Sequence, residues 1–273
     1  MNLVRLIGIY LLNCLKSIVA IPWCILSDLL RRILLFLYHL VSGLVYFGVG
    51  FYLNFKLLFT QIKIWPKWFG KVFMAIIAWI GRFVSKILDM ALTGEILDLV
   101  FQLLKPNTRS LSAIELTEAK KVFGDGLRYW QIRIDEYSLI AKLGALFAGS
   151  KTMGVTTFHT INFTRKLVVA PGNRDMDWLI HELAHVCQMQ HVGIQYLVEA
   201  LVAQYTGGYN YGGTDGLKGK TIQDFNREQQ ADIAADYYSQ VLYGHTSADN
   251  FLPIVNEFRN ANGLWVFSKL VNR

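Results

Sequence analysis

The pentapeptide His181-Glu182-Leu183-Ala184-His185 holds residue types at a spacing that can do chemistry. Two histidines four apart on a helix share a face, so both imidazoles can reach one ion. Glu182 then lies beside the remaining coordination position, where it can take a proton from a water molecule. Such a site needs a third protein ligand. His191 stands ten residues after His181, but the scheme that uses it requires a glycine three residues after the second histidine, and that position is Gln188. An unbroken helix would carry His191 about 15 Å along the axis from His181 and off its face. No methionine follows Met189, so the methionine turn of that scheme cannot be built. The alternative donor is Glu228, in Glu228-Gln229-Gln230-Ala231-Asp232. Asp232, one turn on, is placed to accept the free N–H of a ligating histidine and fix its tautomer, with Asp236 as a substitute. Glu199 is the weaker candidate, because it lacks an aspartate four residues on. The expected site is therefore Zn2+ on His181, His185 and Glu228, with a position left open for water, the arrangement of catalytic rather than structural zinc. Glu182 is its general base.

These residues need helices to carry them. Asp177 to Gln190 reads as one helix that stops at Gly193. Ser112 to Phe123 reads as another. Trp130, Ile132 and Ile134 alternate with polar neighbours as a half-buried strand, and Val155 to Phe163 and Lys166 to Ala170 read as two more. Three strands followed by helices predict an α+β fold with a short antiparallel or mixed sheet. The Val155 to Phe163 strand offers an edge on which an extended peptide can pair. Tyr205, Tyr209, Tyr211, Tyr237 and His245 are the candidate donors to an oxyanion. Between Thr206 and Thr221 lies a loop with six glycines. Its end, Gly219-Lys220-Thr221, fails as a phosphate loop because Thr214 stands where a glycine is needed and no strand precedes it. Cys187 reads as a packed thiol.

Three stretches, Leu167 to Gly172, Leu179 to Gln188 and Phe225 to Ile233, resemble the small metallopeptidase-like domains found with bacterial contractile injection systems, and are similar to Vgr-related and Rhs-type secretion proteins. The resemblance covers about residues 110 to 260. It implies a zincin-like fold, a bacterial origin and a link to secretion, with proteins of the secretion apparatus as partners and a peptide or protein as substrate.

The rest of the chain has a different character. Of 273 residues, 53% are apolar and only 17% charged, and the net charge of +7 is uneven. Residues 1 to 88 hold ten Lys or Arg against Asp28 alone, while the remainder holds seventeen basic and nineteen acidic residues. Ile33 to Phe55 is a run of 23 residues without charge, enough to cross a bilayer. Leu3 to Leu30 reads as an amphipathic helix with a polar stripe of Arg5, Asn13, Lys16, Ser17, Ser27 and Asp28. Lys56, Lys63, Lys67 and Lys71, opposite Trp65 and Trp68, suit an anionic membrane surface, and Pro66 should divide that segment. Basic residues flank the run on both sides, so orientation is not readable. No signal-peptide cleavage site interrupts this segment, and it is expected to be retained.

Long apolar runs between the cations exclude a nucleic-acid surface. Three cysteines cannot all pair and require no oxidising compartment. The expectation is a membrane-associated helical region, 1–105, with membrane lipid as a partner, followed by a zincin-like metallopeptidase domain, 106–273. A chain beginning near Ser110 should be soluble. The protein would sit on a bacterial membrane or be translocated into a target membrane. Two rivals lack catalysis: a membrane-inserting effector or secretion component with a structural or vestigial zinc site, and a helical membrane toxin.

Overall fold

The computed structural model describes residues 3–60, 65–206 and 208–260. The elements run α1 (Leu3–Thr60), α2 (Trp65–Met90), α3 (Thr93–Leu104), α4 (Ala113–Phe123), β1 (Arg133–Glu136), α5 (Leu139–Phe147), β2 (Gly154–Thr157), β3 (Thr160–Phe163), α6 (Arg174–Val192), α7 (Gln195–Thr206), α8 (Gly213–Gly216), α9 (Arg227–Asp236) and α10 (Leu252–Arg259). The chain is mostly helical around one small mixed sheet.

Local chemistry sets the helix ends. Ser112 and Glu115 exchange side-chain and backbone bonds in a capping box that starts α4. Asn173 accepts the Met176 amide at 2.9 Å and starts α6 three residues ahead of the expected Asp177. Gly193, at φ 78°, ends it where expected. Asn226 and Gln229 cap α9 in the same reciprocal way.

The sheet has the order β1-β3-β2, with β1 parallel and β2 antiparallel to β3. Three strands are present, but not the three expected. Val155 to Phe163 is a hairpin rather than one strand, because Phe158 turns the chain at φ 54° and Thr157 faces Thr160. Lys166 to Ala170 is not a strand: the Leu167 amide donates to Glu136 and the Val168 amide to Asp175, so side chains take the donors a ladder would need. Trp130 lies in a 3-10 turn and the first strand begins only at Arg133. Ile134, Ile161 and Phe163 pack with Met176, Leu179, Ile180 and Leu183 of α6, and α4, α9 and α10 close the same core.

The N-terminal helices are built inside out. α1 runs unbroken through Pro22, and its stretch Val4–Gly50 is long and apolar enough to cross a membrane. Most of its polar stripe faces the globular part, while Arg5 and Ser27 are exposed: Asn13 donates to the Thr108 carbonyl at 3.0 Å, Lys16 to Ser110 at 3.0 Å, and Arg128 to Asp28 at 2.7 Å. Arg133 of β1 pairs with Asp98 of α3 at 2.8 Å and donates to Ser17. Arg32 pairs with Glu95. Leucines, isoleucines and valines of α1, α2 and α3 face outward, Leu26 with 86% of its surface exposed. Soluble helices bury such residues and expose the charges. Near its far end α1 folds against α2: His39 stacks on Trp79, whose indole comes so close to Gly43 that a Cβ there would meet it at 1.8 Å. Lys63 lies outside the described residues, as do the side chains of Lys56, Lys67, Lys71, Trp65 and Trp68. Pro66 sits in the first turn of α2.

Candidate metal centre

α6 and α9 pack side by side and turn His181, His185 and Glu228 toward one point, where one ligand atom from each lies within 4.8 Å of the others. Glu228 Oε2 is 3.6 Å from His181 Nε2 and 3.4 Å from His185 Nε2. Both rings are held from behind. His181 Nδ1 lies 2.9 Å from Asp232 Oδ1, one turn past Glu228. His185 Nδ1 lies 3.0 Å from Gln188 Oε1, whose Nε2 donates to the Arg227 carbonyl and to Gln230. Gln188 therefore presents its oxygen to His185, which fixes the Nδ1–H tautomer and leaves Nε2 as the lone-pair donor. Two imidazoles so oriented and one carboxylate form the donor set that borderline ions such as zinc prefer, and the residues fit that ion.

The charges of these groups are coupled. Burial works against a charged His181, yet Asp232 and Glu228 raise it to about 10. Burial also works against a charged Glu228, but His181 and His185 hold it well below the usual carboxylate range. Glu228 thus stays ionised beside the imidazoles, an environment that favours positive charge at this point.

Glu182 is buried beside the cluster. Thr156 of β2 donates to its Oε2 at 2.8 Å. β2 is the edge of the sheet and passes close by: a Cβ on Gly154 would stand 2.3 Å from Glu182 Oε1 and 2.9 Å from Trp178 Nε1. Tyr196 of α7 donates to the Thr156 carbonyl at 2.7 Å and stacks its ring on His185. The centre lies in a cleft of about 1000 Å3 whose walls include Met153, Gly154, Trp178, Leu197 and Tyr209.

The other sequence candidates stand outside the three-residue cluster, although Asp236 and Tyr209 line the cleft. His191 faces away, its Nε2 2.9 Å from the Gly126 carbonyl, and burial lowers its pKa to about 4. Glu199 is tied to Arg82 and Arg227, and Asp236 accepts from Tyr211. Of the possible oxyanion donors, Tyr209 lines the cleft, with its ring 6.3 Å from that of His181. The Tyr237 hydroxyl is taken by Arg259 at 3.1 Å, and the Tyr205 side chain lies outside the described residues. Cys14, Cys24 and Cys187 are buried free thiols. Motif spacing gives no role at the site to Gly154, Thr156, Gln188 or Tyr196. Gln188 carried a signal, standing three residues after His185 on the same helix face. Gly154 carried one too, since a glycine inside a strand marks close approach.

The chain is 30% identical over 166 residues to the type VI secretion system spike protein VgrG2b of Pseudomonas aeruginosa. The alignment takes in 55% of this chain but only 15% of that protein's length. No model of a protein family matches the chain, and no solved structure matches it.

Proposed function

We propose that the chain is a membrane-associated, zinc-dependent peptidase with a zincin-like domain, acting as an effector or accessory protein linked to a bacterial secretion system. The observation that carries the reading is the convergence of His181 Nε2, His185 Nε2 and Glu228 Oε2, each imidazole held by its own acceptor, beside a buried carboxylate in an open cleft. Zinc bound there would supply Lewis acidity and lower the pKa of a water to about 7. Glu182 takes the proton from the attacking water and passes it to the leaving amine. The outer edge of β2 pairs with an extended peptide and lays it along the cleft, and Tyr209 hydrogen-bonds to the developing oxyanion. Similarity to a spike protein supports the link to secretion. The outward apolar faces of α1, α2 and α3 support membrane association.

Those same faces favour the second reading, a membrane-inserting component whose zinc is structural. Elemental analysis together with a peptide-library assay separates the two. Stoichiometric zinc with hydrolysis that Glu182→Gln abolishes supports the peptidase; stoichiometric zinc without hydrolysis supports the second reading.

A further inference from the structure

We propose that α5 and the basic segment around it form a separate membrane-contact surface on the globular part of the chain, docking on an anionic bilayer beside the cleft. Between Glu136 and Asp175 the sequence holds no Asp or Glu and five cations, Lys142, Lys151, Arg165, Lys166 and Arg174. Residues 106–273 as a whole hold sixteen basic and sixteen acidic residues, so this basic segment is a local segregation of charge. At its centre α5 is reversed. Ala141 and Ala145 face the sheet, while Leu139, Leu146 and Phe147 are 69%, 74% and 87% exposed. A helix whose task was to cover the core would turn its large side chains inward.

Charge decides the occupant. Arg165 is paired with Asp175, but among the described residues Lys142, Lys151 and Lys166 have no ion-pair partner. An apolar tip ringed by uncompensated lysines repels a second copy of itself and suits acyl chains beneath anionic headgroups. α5 also meets the outward-facing layer: Lys105, at the end of α3, donates to Asp135 at 2.7 Å and reaches Ser138, the residue that begins α5, at 3.4 Å. That continuity rests on the membrane reading of α1 to α3; the charge and the reversal of α5 do not. The surface reaches the cleft, because Met153 lies against α5 at Gly144 and also lines the cleft wall with Arg165 and Arg174. Docking by α5 would therefore hold the cleft mouth at the headgroups, within reach of membrane-attached peptides.

The test uses the full chain and reads α5 itself, since α1 to α3 can attach the protein whatever α5 does. Phe147→Cys carries an environment-sensitive fluorophore, with Lys218→Cys, at an exposed position outside this segment, as a control; the native thiols are buried. On vesicles containing phosphatidylglycerol, the label at 147 should shift to the blue and be quenched by brominated acyl chains, while the label at 218 should not. Lys142→Glu/Lys151→Glu/Lys166→Glu should abolish the shift. In unlabelled protein, backbone hydrogen exchange over 139–147 should slow on the same vesicles, and Leu146→Glu/Phe147→Glu should remove that slowing. A water-like label at 147 on vesicle-bound protein overturns the proposal. So does an equal shift on pure phosphatidylcholine, or a shift without lipid that grows with protein concentration and marks self-association.

Discussion

Glu182 has a chemical task in this reading that its packing does not require, and the residues around it allow the two to be separated. A glutamine can still accept from Thr156, so Glu182→Gln should keep zinc stoichiometry and melting temperature while peptidase turnover falls by a factor on the order of 10² to 10⁴. Equal turnover in the two proteins would remove Glu182 from the chemistry. Gly154 tests position rather than identity. Its alanine variant places a methyl group where the carboxylate now lies, so Glu182 must move. Misplacement of about 1 Å can cost roughly 10² in rate, and Gly154→Ala should lose activity on that scale with its zinc intact. Gln188 tests the ligand. In Gln188→Leu the buried His185 Nδ1–H loses its acceptor and the ring its orientation. Zinc affinity, measured by competition with a chelator, should fall on the order of 10- to 100-fold; unchanged affinity would reduce Gln188 to packing.

α2, α7 and α9 are joined by one chain of charge. Arg82 of α2 lies 3.1 Å from Glu199 of α7, which lies 2.7 Å from Arg227, the residue preceding Glu228 on α9. Burial penalises a charged Glu199, but Arg227 and Arg82 draw its pKa from 4.5 down to about 2. A carboxylate lowered by folding contributes stability that is present above its unfolded pKa and lost as pH falls through the folded one. Stability should therefore decline between about pH 4.5 and pH 2, and Glu199→Gln should flatten that part of the curve in denaturant titrations. An identical acid profile in the variant would show that the network is not linked to folding. These elements were unequally legible. α6 announced itself through the histidine spacing and Gly193, and α9 through Glu228 and Asp232, because side chains one turn apart leave a periodic mark. The hairpin at Phe158 left none, since a bulky residue at positive φ is what sequence patterns argue against. The stripe on α1 was visible as a stripe, but periodicity gives two faces and not which neighbour each one meets.

The inside-out layer also reaches α6. Arg31 of α1 donates to the Gln190 and His191 carbonyls at 2.9 and 3.0 Å, and Lys86 of α2 donates to the Val192 carbonyl at 2.7 Å. Asp89 accepts the Ile194 amide at 2.7 Å and lies so close to Gly193 that any Cβ there would strike it. The last turn of α6 thus has its unpaired carbonyls and its dipole met by cations from the N-terminal helices, worth up to about 2 kcal/mol in partly buried geometry. Removing residues 1–109 would uncap α6, strip Arg133 of Asp98 and Ser17, and leave Glu199 without Arg82. Breaking a buried pair from one side costs about 3–5 kcal/mol. The chain beginning at Ser110, which composition alone marks as a soluble unit, should therefore melt on the order of 10 °C below the full chain in detergent, or fail to melt cooperatively. It should also bind zinc more weakly, because α6 carries two of the three proposed ligands. Arg31→Ala and Lys86→Met in the full chain give the same comparison without truncation, and each should lower the melting temperature by a few degrees. A fragment that matches the full chain in melting temperature and zinc affinity would show that the N-terminal helices only anchor the protein and do not complete its fold.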